Sequence, residues 1–133
     1  MTTQTALRTM DQNRAEFALN AIDTFSQRSP ADQAELRRYL IQLPALIQMN
    51  GLGQALAFYL SKGNNTTHAD IYNLLGKWLC QSKVGRVFDE SESDVLRAIT
   101  SSDMFRYMAA QNESLALLEW LKKFATALLE KEA

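Results

Sequence analysis

Leu43-Pro44-Ala45-Leu46-Ile47-Gln48-Met49-Asn50-Gly51-Leu52-Gly53-Gln54-Ala55-Leu56-Ala57-Phe58-Tyr59-Leu60-Ser61-Lys62 decides how this chain folds. The stretch is apolar enough to be core, yet a polar Asn50-Gly51-x-Gly53-Gln54 break divides it. Glycine inside an apolar helical run costs about 1 kcal/mol relative to alanine. Two such residues imply a compensating feature, either a tight helix-helix joint or a backbone that closely approaches a partner. Asn50-Gly51 offers a left-handed C-cap to the helix before it. Leu52, Leu56, Phe58, Tyr59 and Leu60 then restart the helical period. Pro44 lacks an amide donor and clashes with the carbonyl four residues back, so it kinks the first helix or opens the next.

Working outward, residues 3–26 place Leu7, Met10, Phe17, Ala18, Ala21, Ile22 and Phe25 at helical spacing with no Gly or Pro between. Ser29 suits an N-cap, Pro30 the first helical position, and Asp32 the first turn, where the dipole favours an anion. The helix they open buries Leu36, Tyr39, Leu40 and Leu43. Residues 62–67, Lys-Gly-Asn-Asn-Thr-Thr, form a loop by composition. Thr67 with Asp70 reads as a capping pattern ahead of Ile71, Leu74, Leu75, Trp78 and Leu79. Residues 83–86 break that helix, and Ser91-Glu92-Ser93-Asp94 opens a short one through Val95, Leu96 and Ile99. The last helix runs from about residue 103 to residue 130, with its cadence slipping at Gln111-Asn112. No segment alternates polar with apolar residues in a strand-like way. The expectation is an all-α fold. Residues 1–133 make one helical domain, a bundle of five or six helices with long N- and C-terminal helices.

The chain has 133 residues, enough for a self-sufficient core. Its first six residues lack a basic segment followed by an apolar one, so no signal peptide is expected. No apolar run reaches the roughly 20 residues of a membrane span. The single Cys80 precludes an internal disulfide and fits a reducing cytoplasm. The net charge of −1 hides an asymmetry. Residues 36–88 carry Arg37, Arg38, Lys62, Lys77, Lys83 and Arg86 against Asp70 alone, a balance of +5. Residues 89–119 carry seven acids against Arg97 and Arg106, a balance of −5. Such local fields matter more for partners than the total.

Recognisable chemistry is missing. Gly51-x-Gly53 is no dinucleotide loop, because Leu56 stands at the third glycine position and no strand precedes it. His68 is the only histidine and reads as a surface residue of the capping turn. His68 and Cys80 do not make a four-ligand zinc site. Glu90, Glu92 and Asp94 read as an acidic helix start, which the dipole explains without a metal. Trp78 and Trp120 fall at helical spacing and read as core. No nucleophile, base and orienting group assemble, so no catalytic, metal or cofactor site is expected and the chain is not read as an enzyme.

Residues 43–58 quoted above, followed by Glu119-Trp120-Leu121-Lys122-Lys123-Phe124-Ala125, resemble the small α-helical subunit of the type III-B CRISPR effector, the Cmr complex. The resemblance implies a non-catalytic subunit that stacks in a few copies along a ribonucleoprotein for defence against foreign nucleic acid. Its implied partners are guide RNA, target RNA, the backbone and large subunits, and further copies of itself, with no membrane. Cleavage and cyclic-nucleotide synthesis would belong to other subunits. The basic middle third suits phosphate contact by Lys62, Lys77, Lys83 and Arg86. Lys122 and Lys123 match the second family block and complete the RNA-binding candidates. Two other readings stay open: a small helical DNA-binding regulator using the Asn50-Gly51 joint as its turn, and a helical adaptor without nucleic-acid contact. Against the regulator, residues 52–60 offer no base-reading stripe beyond Gln54.

Overall fold

Ser29 accepts a hydrogen bond from the Asp32 amide at 3.1 Å and starts a 21-residue helix at Pro30, as its local sequence dictates. In the computed structural model, which describes residues 7–89, 92 and 94–132, this is α2 (Pro30–Asn50). The other helices are α1 (Met10–Phe25), α3 (Leu52–Leu60), α4 (Thr67–Gly76), α5 (Val95–Ser101) and α6 (Met104–Leu128). A π-helical turn, Lys77–Gln81, continues α4. The fold is all-α, with six α-helices and no strand among the described residues. Among the described residues, no helix is long and apolar enough to cross a membrane.

α6 is the spine, with α1 and α2 packed along it, while α3 and α4 cover the other side of α2. One continuous core results. It includes Ile22 of α1, Leu36, Leu40, Leu43 and Ile47 of α2, and Leu117, Leu118 and Leu121 of α6, all fully buried. Each such side chain contributes about 1.5–3 kcal/mol through burial. A polar clamp crosses this core. Glu113 of α6 accepts two hydrogen bonds from the Arg14 guanidinium at 2.7 and 2.8 Å, and a third from the Trp78 indole at 2.9 Å. Carboxylate and guanidinium meet as a fork, so α1, α6 and the π turn are fixed in register.

Several local expectations shift. The first helix starts at Met10, because Thr9 and Gln12 close a reciprocal capping box. Residues 7–9 are therefore not helical, and the expected start at residue 3 lies outside the described residues. Pro44 opens no new helix, since α2 runs through it. Thr66, not Thr67, caps α4, and its hydroxyl accepts from the Ala69 amide at 3.1 Å. Thr67 is buried and donates to Glu35 at 3.0 Å, while Asp70 pairs with Arg28 at 2.8 Å. Asp94 precedes α5 but caps nothing. It accepts from the Tyr72 hydroxyl, and that phenol receives the Leu96 amide at 3.3 Å. Of the predicted acidic helix start, Glu90, Ser91 and Ser93 lie outside the described residues.

The Asn50-Gly51 break is a helix-helix joint. Gly51 adopts φ 87° and ψ 158°, a region essentially restricted to glycine, and serves as C-cap of α2 and N-cap of α3. Its own side chain cannot satisfy the first amides of α3, so α6 supplies the acceptors. Gln111 Oε1 takes the Leu52 amide at 2.9 Å, and the Tyr107 hydroxyl takes the Gly53 amide at 3.0 Å. The slip in the apolar cadence at Gln111 thus marks a polar side chain recruited to another helix's end.

Candidate nucleic-acid interface

Four of the predicted cations, Lys62, Lys77, Lys83 and Arg86, flank the two ends of α4, and Lys122 and Lys123 stand on α6. Lys62 follows α3 and is exposed, with its ammonium 4.5 Å from the centre of the Phe58 ring. It borders a hollow of about 380 Å³ together with Arg28, Asp32, Glu35, Thr67 and His68. His68 is not a plain surface residue. Its ring stacks on Tyr39 at 3.8 Å and meets the edge of Tyr59 at 4.8 Å. Burial lowers its pKa, and the nearby Lys62 charge lowers it further, which favours the neutral imidazole.

Lys77 is exposed at the start of the π turn, one α4 length from the Lys62 loop. Ten residues of α-helix span about 15 Å. The widened turn lets three consecutive side chains, Trp78, Leu79 and Cys80, all be buried. Burial pushes the Cys80 thiol up to about 11, which removes thiolate reactivity. Lys83 and Arg86 project from the loop that follows, and both are exposed. That loop is stiffly held. Ser82 Oγ accepts the Val84 and Gly85 amides at 3.3 and 3.1 Å, and the Leu79 carbonyl accepts those of Val87 and Phe88 at 2.8 and 3.1 Å. Gly85 lies flat on the Trp78 indole, where a Cβ would come within 2.0 Å of the ring.

Lys122 and Lys123 are exposed on α6, which packs chiefly on α1 and α2 and is not a main neighbour of α4. Lys123 pairs with Glu119 one turn earlier at 3.3 Å. The structure therefore brings Lys83 and Arg86 together on one loop, with Lys77 at its head. Lys62 sits at the far end of α4, and the Lys122–Lys123 pair stands on another element. Of the two tryptophans, Trp78 is core, whereas Trp120 is half-buried and donates to Asp11 at 3.0 Å. No group of three or more His, Cys, Asp or Glu side chains is placed to hold a metal among the described residues.

Two surface features escaped the sequence reading. Phe58 and Leu60, placed in the apolar period of α3, are 47% and 44% exposed. Met104, Phe105 and Met108 at the start of α6 are 65%, 76% and 54% exposed. A signal existed. Phe58-Tyr59-Leu60 and Met104-Phe105 are adjacent apolar residues, and neighbours about 100° apart on a helix do not share one narrow face.

A family model of the CRISPR-associated protein Cas_Cmr5 matches residues 10–128. The chain is thus a small all-helical CRISPR-associated protein. Over 99 residues it is 33% identical to the CRISPR system Cmr subunit Cmr5 of Thermus thermophilus, covering 74% of this chain and 79% of that one. The crystal structure of a CRISPR-associated Cmr5 family protein, also from Thermus thermophilus, superposes with a TM-score of 0.74 at 29% identity. That match covers 93% of this chain and all of the other. The chain belongs to the Cmr5 family, the family of the small subunit of the type III-B CRISPR effector.

Proposed function

We propose that this chain is a non-catalytic subunit that stacks in a few copies within a Cmr ribonucleoprotein and helps hold guide and target RNA. The match of residues 10–128 to the Cmr5 family carries this reading. Its chemistry is positional. Lys77, Lys83 and Arg86 ring the stiff end of α4, Lys62 lies beyond its other end, and Lys122 and Lys123 add charge on α6. Cations of this kind contact phosphate without reading base sequence. The near-neutral whole chain implies weak RNA binding by the isolated subunit, with assembly supplying most of the affinity. The DNA-regulator reading fares worse. The exposed side of α3 carries Gln54, Ala57, Phe58 and Leu60, which give no base-reading stripe beyond Gln54, and the start of α3 is closed by Tyr107 and Gln111.

The test is assembly with guide RNA and measurement of target-RNA affinity at several salt concentrations. Replacing Lys62, Lys77, Lys83 and Arg86 by alanine should flatten the log-log salt slope by roughly 3. Parallel slopes would remove these residues as phosphate contacts. Metal-dependent RNA cleavage by the pure subunit would put an enzyme reading first.

A further inference from the structure

Arg37 lies half-buried on α2, and its Nε is buried with no hydrogen-bond partner. It pairs with no acid among the described residues. A buried charged donor without an acceptor is costly, so the fold alone does not account for an arginine here. Two long-range hydrogen bonds set what faces it. Gln33 Oε1 accepts the Glu130 amide at 3.1 Å near the start of α2, and Gln111 Oε1 accepts the Leu52 amide at 2.9 Å just past its end. α2 and α6 therefore run antiparallel. Arg37, one turn on from Gln33, stands across from Thr126, one turn back from Glu130, and Lys122 is one turn further back. Lys122 also follows Gln111 by three turns, so it shares the side of α6 that faces α2. It is exposed and meets no acid among the described residues. The acids around this seam are engaged elsewhere. Asp32 pairs with Arg28, Glu113 with Arg14, Glu119 with Lys123 and Glu132 with Arg38. Glu35 accepts from Thr67 on the other side of α2, and Glu130 lies beyond the end of α6 with Lys131 beside it.

We infer that Arg37 and Lys122 form a phosphate site at the α2–α6 seam that grips the sugar-phosphate backbone of RNA. The planar guanidinium donates two parallel hydrogen bonds to a phosphate, and the lysine adds a point charge one turn away. A lone carboxylate on a neighbouring protein answers one cation, whereas an RNA strand brings a phosphate for each, and this favours RNA. Arg37 is already half-ordered by its burial, so less side-chain entropy is lost when phosphate binds. The site is separate from the cations around α4. Glu35 and Arg37 are two residues apart, about 200° around α2, and Glu35 is the one that faces α4 through Thr67. Arg37 therefore points away from α4, toward α6. This inference rests on the RNA-holding role proposed above.

The test uses the whole chain with its partner subunits. Labelled guide RNA is titrated during assembly and labelled target RNA onto the assembled complex, each at several salt concentrations, so the two arms tell guide contact from target contact. Replacing Arg37 and Lys122 together by methionine should weaken one of the two by at least about tenfold. It should also flatten that log-log salt slope by about 1.4, the value for two single-strand phosphate contacts. Restoring the charge as Arg37→Lys beside native Lys122 should recover the slope but not the full affinity, because the fork is lost. The free Arg37→Met chain should melt no lower than wild type, since no internal bond is broken and a buried unpaired donor is removed. A lower melting temperature would assign Arg37 an internal role and overturn the inference. Parallel slopes in both arms would overturn it too, and if native mass spectrometry then showed the variant missing from the complex, the site would belong to an acidic neighbour. A complex assembled without this chain that binds both RNAs with wild-type affinity and slope would overturn the RNA-holding role and this inference together.

Discussion

Gly85→Ala isolates the packing that holds the basic loop. The new Cβ would sit 2.0 Å from Cε2 of Trp78, with Cζ2 and Cδ2 at 2.4 and 2.5 Å. One side must yield. The indole is 1% exposed, its nitrogen donates to Glu113 at 2.9 Å, and Phe17 lies 4.7 Å from it across ring centres. The loop is the softer partner, and lifting it breaks the Ser82 and Leu79 hydrogen bonds that fold it back. Overpacking of this kind costs about 2 kcal/mol. For a chain of this length that lowers the melting temperature by about 8 °C. The same lift displaces Lys83 and Arg86, so target-RNA affinity of the assembled complex should fall in parallel. Gly63→Ala is the control, since nothing lies within 4 Å of its Cβ position and only its φ of 95° resists the change. Thermal denaturation by circular dichroism reads both variants. A Gly85→Ala melting temperature within about 2 °C of wild type would refute the packing argument, because even the low end of overpacking costs exceeds that shift.

Gly51→Val should destabilise by about 3 kcal/mol in urea titrations, because a β-branched residue is forced to φ 87° and its Cβ meets the Tyr107 hydroxyl at 3.1 Å. Unchanged stability with lost assembly would instead make the joint a partner surface. Glu113→Gln should cost about 2 kcal/mol, since Arg14 keeps its charge beside a neutral amide in a mostly buried clamp. Adding Arg14→Met should recover part of that loss, and a fully additive double variant would show that the two residues do not couple. His68 binds its proton less readily when folded than when unfolded. Its contribution is therefore full above the ordinary histidine value of about 6.5 and is lost as pH falls below it. His68→Phe should shrink the drop in melting temperature between neutral and mildly acidic buffer, and an unaltered pH profile would discount His68.

Features settled within one turn of chain are legible in linear order. Ser29-Pro30-x-Asp32 starts α2, the last helix opens near residue 103 as its period indicates, and the apolar stripe of α2 marks the core. The Cmr5 resemblance was legible in the same way, in two contiguous blocks. Capping and helical periodicity act over three or four residues, so linear order contains them. Tertiary structure decided the rest. Leu52 and Gln111 are 59 residues apart and Gly53 and Tyr107 are 54 apart, so nothing local could show that α6 closes the Gly51 joint. Trp78 and Gly85 needed each other before the glycine had a reason. The exposure of Phe58 and Phe105 depends on which neighbours are absent beside them, and apolar character alone does not record that. Whether a lysine stands beside another cation or alone on a distant helix is likewise a property of packing, since charges meet through space and not along the chain.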